Sequence, residues 1–286
     1  MALIIRGGKV VTMDARQEIL AEADIVINDD LIVGIYPKAN VPPEYQAGQV
    51  LDAQGLIVLP GFCNAHSHVA MTMLRGMADD LPLKDWLEKR IWPAEEHLSR
   101  EDVYWGALLG MTEMIRSGIT SMADMYFYAE EVARASKEIG IRALIGRGIF
   151  NKIWDKSLAE SLALYDAWQN QGEGRISVAL APHAPYSCTP NYLEKVAMLA
   201  ADLKLPVHIH LAETRYEVEE CQREYGLTPV ALLDKVGILD YPVLAAHCVH
   251  LSPHDIDILA RRRVLVAHNP ISNAKLGSGI APLKAL

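Results

Sequence analysis

The chain has 286 residues, of which 51% are apolar, so it can bury a sizeable core in one large domain or two ordinary ones. Its formal net charge of −9 argues against nucleic acid as a partner, because phosphate recognition normally needs a basic surface. The cysteines form no CxxC pair, the N-terminal apolar run is too short for a signal peptide, and no run of about 18 apolar residues suggests a membrane span. These features predict a soluble, cytoplasmic protein that has no membrane partner.

Residues 1–57 read as β-strands and turns. The pairs Gly7-Gly8 and Asp29-Asp30 each separate two apolar runs, a pattern typical of β-hairpins. Residues 39–49 contain two prolines and read as a loop. Because this is too little chain for an independent sheet domain, we expect its strands to pair with other strands.

From residue 56 onward, apolar strand candidates alternate with helical patterns, which indicates a parallel sheet wrapped by helices. The clearest helix begins at Ser99, where Asp102 completes a capping-box pattern, and Gly118 ends it. We therefore predict an α/β fold, a (β/α)8 barrel of which this chain supplies seven strands. The strand candidates are 56–62, 119–125, 141–149, 176–181, 206–211, 243–249 and 264–269.

Histidines gather at the C-terminal ends of these strands, where a barrel of this class builds its active site. His66 and His68 follow the first strand one residue apart, so both side chains can point to the same side. Others follow or end the fourth to seventh strands: His183, His210, His247 and His268. A single strand-end histidine is more often an ordinary hydrogen-bonded residue, but five of seven strands ending this way predict a metal site, because imidazole is a common zinc ligand.

The remaining histidines have plainer interpretations. His208 lies one pleat below His210, so we expect a hydrogen-bonded core residue. Three others fall on helices or loops and are expected to be surface or packing residues: His97, His250 and His254. Glu213, three residues after His210, could cap the following helix or act as a general acid and base, and its position beside a predicted ligand favours the second.

Motifs of several other chemistries are absent. The sequence lacks the H-x-E and P-C-x-x-C motifs of cytidine-type zinc deaminases. It also lacks a G-x-S-x-G elbow, a Walker loop and a dinucleotide-binding fingerprint.

Seven segments spread over the whole chain together resemble the amidohydrolase superfamily. One of them, DLPLKDWLEKRIWPAEE, is similar to the branch of 5-methylthioadenosine/S-adenosylhomocysteine deaminases, which are relatives of the triazine hydrolases. The segments are PGFCNAHSH, LRGMADDLPLKDWLEKRIWPAEEHL, SGITSMADMY, APHAPYSC, HIHLAET, AHCVHL and HNPISNAKLGSG.

The resemblance implies a metal-dependent barrel over residues 58–286 and a small β-sandwich to which residues 1–57 contribute the N-terminal part. It also implies one divalent metal ion per subunit, zinc or alternatively Fe²⁺. By position, the metal ligands would be His66, His68 and His210. Binuclear members use a carboxylated lysine on strand four, and because that strand has no lysine here, a mononuclear site is the better match.

The resemblance also implies the reaction and the roles of further residues. Glu213 would be the proton shuttle to the purine ring and a substrate contact, and His247 would orient the attacking water and help to deprotonate it. Glu95 would bind the ribose hydroxyls, and Arg147 and His183 would make other substrate contacts. The expected activity is hydrolytic deamination of 5′-methylthioadenosine, S-adenosylhomocysteine or adenosine to the inosine product and ammonia, in a homodimer or homotetramer.

Two other functions remain open from the sequence. One is an aminohydrolase or chlorohydrolase of another heterocycle, such as guanine or a triazine. The other is a non-catalytic barrel fragment that only binds metal or a partner. In this family the last ligand is an aspartate at the end of strand eight, and no acidic residue follows His268. We therefore expect the chain to be incomplete at its C-terminus; Asp124, which ends strand two, is the other acid that could take this role.

Overall fold

The computed structural model describes residues 2–37 and 40–286. The chain divides into two compact units, Met1–Phe62 and Cys63–Leu286. The loop predicted over 39–49 includes Ala39, which lies outside the described residues. In the rest of that loop, residues 43–45 form one turn of 3₁₀ helix.

The first unit is a five-stranded mixed sheet in the order β3-β2-β1-β4, with β5 also paired to β1. Strands β1, β2 and β3 are antiparallel neighbours, whereas β4 and β5 run parallel to β1. Its assignment to a small β-sandwich remains a prediction. The strands are β1 (Leu3–Val11), β2 (Ile19–Asn28), β3 (Leu31–Pro37), β4 (Gln49–Asp52) and β5 (Ile57–Val58).

One of the two predicted hairpins in this unit is confirmed and the other is wrong. The Asp29-Asp30 pair joins β2 to β3 in an antiparallel hairpin. Gly7 and Gly8 lie inside β1, where the register shifts and Gly7 has φ 72°. The Gly7 amide donates to the buried Asp24 carboxylate at 2.8 Å, so the glycine pair forms a bulge rather than a turn.

The second unit contains a seven-stranded sheet in the order β12-β11-β10-β9-β8-β7-β6, with consecutive strands as neighbours and every registered pair parallel. The predicted fold class, a (β/α)8-type barrel with strands one to seven, is confirmed. The strands are β6 (Phe62–Ser67), β7 (Ile119–Tyr126), β8 (Arg142–Ile149), β9 (Ile176–Pro182), β10 (Val207–Leu211), β11 (Val243–His247) and β12 (Leu265–Ala267).

The position predicted for the first barrel strand, 56–62, is wrong. Ile57 and Val58 pair with β1 in the other sheet, and the barrel strand begins only at Phe62. The Pro60-Gly61 pair therefore separates two strands of different sheets instead of ending one strand. As a consequence His66 lies inside β6, and His68 follows its last residue.

Helices follow the barrel strands. The capping box predicted at Ser99 is present, with mutual hydrogen bonds to Asp102. Among the described residues, no helix combines the length and apolar character that crossing a membrane requires. The α-helices are α1 (Leu83–Trp86), α2 (Trp92–Glu95), α3 (Arg100–Arg116), α4 (Ala129–Ile139), α5 (Trp154–Trp168), α6 (Pro190–Leu203), α7 (Arg215–Tyr225), α8 (Pro229–Lys235), α9 (Pro253–Arg262) and α10 (Pro270–Lys275); a π-helical turn, Leu87–Ile91, lies between the first two.

Close packing fixes the segment that follows His68. It forms a 3₁₀ helix, Val69–Leu74, against α3. A Cβ at Gly106 would lie 2.5 Å from the Ala70 carbonyl oxygen, and one at Gly110 would lie 2.6 Å from a methyl of Val69. Only glycine lets the two backbones approach this closely, so these two positions hold the His68 turn against the helix.

Candidate active site

A cavity of about 870 Å³ opens at the C-terminal ends of the barrel strands. Its size falls in the range of small-molecule sites. The residues to which the resemblance assigned metal, substrate or catalytic roles all line this cavity: His66, His68, Glu95, Arg147, His183, His210, Glu213 and His247. Their roles stay predictions, but the structure brings them together at one place.

Hydrogen bonds to backbone carbonyls orient two of the imidazoles. Nδ1 of His68 lies 2.5 Å from the Met125 carbonyl oxygen, and Nδ1 of His210 lies 2.7 Å from that of His183. A carbonyl only accepts, so each Nδ1 must donate its hydrogen and each Nε2 keeps its lone pair. The two Nε2 atoms are 3.2 Å apart. Two nitrogens bound tetrahedrally at 2.0–2.1 Å from zinc would be about 3.3 Å apart, so this spacing suits a shared ion.

His66 joins this pair through a different contact. Its Nδ1 lies 2.8 Å from Nε2 of His208, which is fully buried. The prediction that His208 is a hydrogen-bonded core residue is therefore confirmed. The His66 ring lies 4.9 Å from that of His68 and 4.8 Å from that of His210, measured between centroids.

Burial favours the neutral form of the histidines in the cluster. Burial lowers the pKa of His66, His68, His210 and His247 below the usual value. Neighbouring histidines lower it further for the first three, whereas the contact with Asn273 partly opposes the shift of His247. Burial likewise lowers the pKa of His183 to about 3. Because a neutral imidazole is the form that binds a metal, the donor set fits a divalent cation with a preference for nitrogen, such as zinc.

The geometry admits a ligand set that differs by one histidine from the predicted one. The candidate donor atoms of His66, His210 and His247 all lie within 4.8 Å of one another. Nδ1 of His247 lies 2.8 Å from the Asn273 side-chain oxygen, so it donates, and its Nε2 is 3.6 Å from the Glu213 carboxylate. His247 is thus placed for either a ligand or a proton acceptor, and its neighbour Glu213 favours the second.

Glu213 follows β10 and is 4% exposed. Burial raises its pKa to about 7, and a hydrogen bond from the Ser278 hydroxyl at 3.3 Å partly opposes this shift. A carboxyl group with this pKa can hold or release a proton at neutral pH, as a proton shuttle must. The alternative that Glu213 caps the next helix is wrong, because the N-cap residue of α7 is Thr214.

The predicted substrate contacts lie around the same cavity. The Tyr126 hydroxyl donates to the Glu95 carboxylate at 2.7 Å, and burial raises the pKa of Glu95 to about 6 despite this bond. Arg147 is buried and forms an ion pair with Glu160 at 2.6 Å. These carboxylate and guanidinium groups can bind polar parts of a ligand.

An aromatic wall adds an apolar surface on another side of the cavity. The ring of His183 stacks on that of Phe150, with centroids 4.5 Å apart. Both residues line the cavity. A flat heterocycle can pack against such a wall.

Several supporting residues were not found from the sequence. Asn273 and Ser278 lie in the HNPISNAKLGSG segment, but only the fold shows that they contact His247 and Glu213. Asp124, the other acid that could take the role of the strand-eight aspartate, does not line the cavity, so this role is not supported. Its carboxylate instead accepts from the Val69 amide at 2.6 Å and the Ser67 hydroxyl at 3.1 Å.

Several known proteins are similar to this chain in sequence and in fold. A 5-methylthioadenosine/S-adenosylhomocysteine deaminase of Moorella thermoacetica is 51% identical over 270 residues, 94% of this chain and 63% of the relative. The chain thus spans less than two thirds of that protein's length. A crystal structure of an adenosine deaminase from Xanthomonas campestris with bound zinc is 37% identical with a TM-score of 0.88, and the match covers 99% of this chain and 66% of that one.

A second solved structure is more distant. An atrazine chlorohydrolase from Arthrobacter aurescens complexed with zinc is 25% identical with a TM-score of 0.89, over 99% of this chain and 69% of that one. The amidohydrolase family model matches residues 57–286. The chain therefore belongs to the amidohydrolase family.

Proposed function

We propose that this chain carries the metal-binding and substrate-binding residues of a hydrolytic deaminase that acts on adenine nucleosides and releases ammonia. The substrates would be 5′-methylthioadenosine, S-adenosylhomocysteine or adenosine. The observation that carries the proposal is the pairing of a buried carboxyl group of shifted pKa, Glu213, with a cluster of neutral histidines in one cavity. Relatives named as deaminases of these nucleosides support it.

The metal would be held by His66, His68 and His210. A divalent ion in this position, zinc in our proposal, would lower the pKa of water so that a hydroxide nucleophile is available at neutral pH. The relatives with bound zinc support this identity. The carbonyl contacts of His68 and His210 would keep both Nε2 lone pairs available, because they fix each hydrogen on Nδ1.

Glu213 and His247 would handle the protons. Glu213, protonated near neutral pH, would donate to a ring nitrogen of the purine and so make the adjacent C6 a better electrophile. His247 is held by Asn273 with its Nε2 toward Glu213, and this nitrogen would accept a hydrogen from the attacking water. The water oxygen would add to C6. The amino group would then take up the proton held by His247 and leave as ammonia, while the proton of the new hydroxyl group would return to Glu213 as the C6 carbonyl forms.

The remaining cavity residues would recognise the nucleoside. Glu95, oriented by Tyr126, would accept from ribose hydroxyls, because an ionised carboxylate accepts two hydrogen bonds. His183, stacked on Phe150, would contact the purine. Arg147 would contact a polar group of the substrate. We further propose a cytoplasmic location. We also propose a homodimer or homotetramer, and light scattering after size exclusion would measure this oligomeric state.

Ammonia release tests the proposed reaction. The zinc-loaded protein, with this chain extended to the length of its deaminase relatives, would be given adenosine, 5′-methylthioadenosine, S-adenosylhomocysteine, guanine and an aminotriazine at equal concentration. We expect release from the adenine nucleosides, with kcat/KM at least about tenfold higher than for guanine or the triazine. The opposite order would favour the second candidate, a hydrolase of another heterocycle, which the 25% identical chlorohydrolase supports. No release from any of them, with zinc bound, would favour a non-catalytic binding protein.

A further inference from the structure

A second buried acidic side chain, that of Glu217, supports the turn that carries Glu213. Glu217, in the first turn of α7, is 2% exposed. One of its oxygens accepts from the Ala212 amide at 3.0 Å, and the other accepts from the Glu213 amide at 2.8 Å. Both oxygens are therefore occupied by consecutive backbone amides, and one of these amides belongs to the proposed proton shuttle itself.

This arrangement departs from what the local sequence would favour. Thr214 and Glu217 have the spacing of a capping box, in which the glutamate accepts from the backbone amide of the N-cap residue. The Thr214 hydroxyl does accept from the Glu217 amide, but the carboxylate reaches past Thr214 to the two preceding residues. In contrast, Asp102 of α3 and Asp255 of α9 both fold back onto their own N-cap residues.

The turn needs such support because its backbone is strained. Ala212 has φ 49°, in the left-handed region that residues with a Cβ rarely adopt. His247, which ends the neighbouring strand β11, and Cys248, which follows it, have φ 76° and 48°. The two strained turns are joined, because the Ala212 carbonyl accepts from the amides of Val249 at 3.0 Å and His250 at 2.9 Å.

We propose that Glu217 is a positioning residue for the reaction: it holds the turn Ala212-Glu213 in its strained conformation and thereby aims the Glu213 carboxyl group at His247 and the cavity. This inference rests on the proposed function of Glu213. Glu217 is absent from the cavity lining, so it acts through the turn and not on the substrate.

Replacing Glu217 with glutamine tests this role, because glutamine has the same shape but only one acceptor oxygen. One of the two amides would then face the side-chain NH₂ group. We expect Glu217→Gln to lower kcat by about 100-fold, as a misplaced catalytic group does, with KM within about threefold and zinc content unchanged. Asp255→Asn is the matched control, because it alters a similarly buried carboxylate that accepts from the N-cap residue Ser252 and does not line the cavity. It should lower the melting temperature with kcat within about twofold.

A double variant separates positioning from general damage. If Glu217 acts through Glu213, Glu213→Gln/Glu217→Gln should match Glu213→Gln in kcat within about threefold, because the second change removes nothing further. An additive loss would overturn the proposal. So would a Glu217→Gln protein that keeps kcat, or one that loses its fold or zinc, because the carboxylate would then be only a structural residue.

Amide hydrogen exchange keeps the test independent of the reaction. The amides of Ala212 and Glu213 should be protected in the zinc-loaded protein and should exchange at least about tenfold faster in Glu217→Gln, while protection in β10 stays unchanged. Unchanged exchange at both amides would overturn the role of Glu217. Absence of ammonia release from the unaltered protein would instead refute the proposed deaminase function.

Discussion

The turns after β6 and β10 are each held by a buried carboxylate, but in different ways. After β6, Asp124 on the neighbouring strand uses one oxygen for both the Ser67 hydroxyl and the Val69 amide, and its other oxygen has no partner among the described residues. After β10, Glu217 on the next helix uses both oxygens. The carboxylate that supports the turn after β6 thus lies 55 residues from Val69, whereas the one that supports the turn after β10 comes from the helix that directly follows that turn. We infer that substitutions can alter the turn after β6, which carries His68 (the metal side), and the turn after β10, which carries Glu213 (the acid side), separately.

The largest effect is expected from the metal side. Replacing both His66 and His68 with alanine removes two of the three proposed ligands, so metal content and ammonia release should both be abolished. Elemental analysis of the purified protein measures the first. His97→Ala, which alters an exposed histidine outside the cavity, is the control and should keep both. Full metal occupancy in the double variant would show that the ligands are assigned wrongly.

On the acid side, Glu213→Gln should leave the metal in place. A proton shuttle contributes typically about 10²–10⁴-fold in rate, so kcat should fall by that factor, with metal content and melting temperature nearly unchanged. Steady-state kinetics and thermal denaturation measure the two properties on the same preparation. Near-normal turnover with a lowered melting temperature would contradict the role of Glu213 as a proton shuttle.

Asp124 uses one carboxylate oxygen and Glu217 uses both, so replacing each with its amide should have opposite outcomes: Asp124→Asn should be tolerated and Glu217→Gln should not. Asp124→Asn keeps an acceptor oxygen for Val69 and Ser67, so zinc affinity should stay within about threefold, whereas Asp124→Ala should weaken it by about 10–100-fold, as loss of a supporting contact does. Titration with a competing chelator measures both. Equal losses in the two variants would mean that the unpartnered oxygen matters, and the contrast with Glu217 would not hold.

A smaller effect is expected at the substrate side. Burial raises the pKa of Glu95 to about 6, although the hydrogen bond from the Tyr126 hydroxyl lowers it in part. The carboxylate is therefore ionised above about pH 6. Because a protonated carboxyl group accepts ribose hydroxyls less well, KM should rise as the pH falls through 6. Tyr126→Phe removes the bond that lowers the pKa, so the midpoint should move to higher pH. KM measured from pH 5 to 8 tests this, and an unmoved midpoint would refute the role of Tyr126.

The smallest effect is expected far from either turn. Ser99→Ala removes the N-cap of α3 and should reduce the free energy of unfolding by about 1 kcal/mol. Neither zinc content nor kcat should change, because α3 contributes no residue to the cavity. Urea denaturation measures the loss of stability. A fall in kcat would show that the N-terminus of α3 affects the site, contrary to this expectation.

The parallel sheet of the second unit could be predicted from the sequence, because it follows from the local alternation of strand and helix patterns. Alternating apolar runs and helical segments predict a parallel sheet whatever their tertiary contacts. The two errors, at Gly7-Gly8 and at Ile57-Val58, have a common cause. A glycine pair can form either a turn or a bulge, and a short apolar run can belong to either sheet. Which of these forms is decided by pairing with residues that are distant in the sequence.

The sequence predicted which histidines gather at the site, but not which residues form hydrogen bonds that orient them and Glu213. His66, His68 and His210 stand out because strand ends converge in a barrel. Asn273 and Ser278 do not, since their contacts with His247 and Glu213 cross 26 and 65 residues and depend on loop conformation. The spacing of Thr214 and Glu217 is that of a capping box, and it does not show that the Glu217 carboxyl group accepts from Ala212 and Glu213 instead. A local pattern states which contacts are possible, and the fold selects among them.

The left-handed backbone at Ala212, His247 and Cys248 has a consequence for engineering. Each such residue stores roughly 1 kcal/mol or more of strain, so glycine there would relax the folded chain. Selection for heat resistance alone would therefore favour changes at these positions, and the turn beside Glu213 would become more mobile as a result. Variants intended to survive higher temperatures are better sought on the outer helices, where rigidity and turnover do not compete.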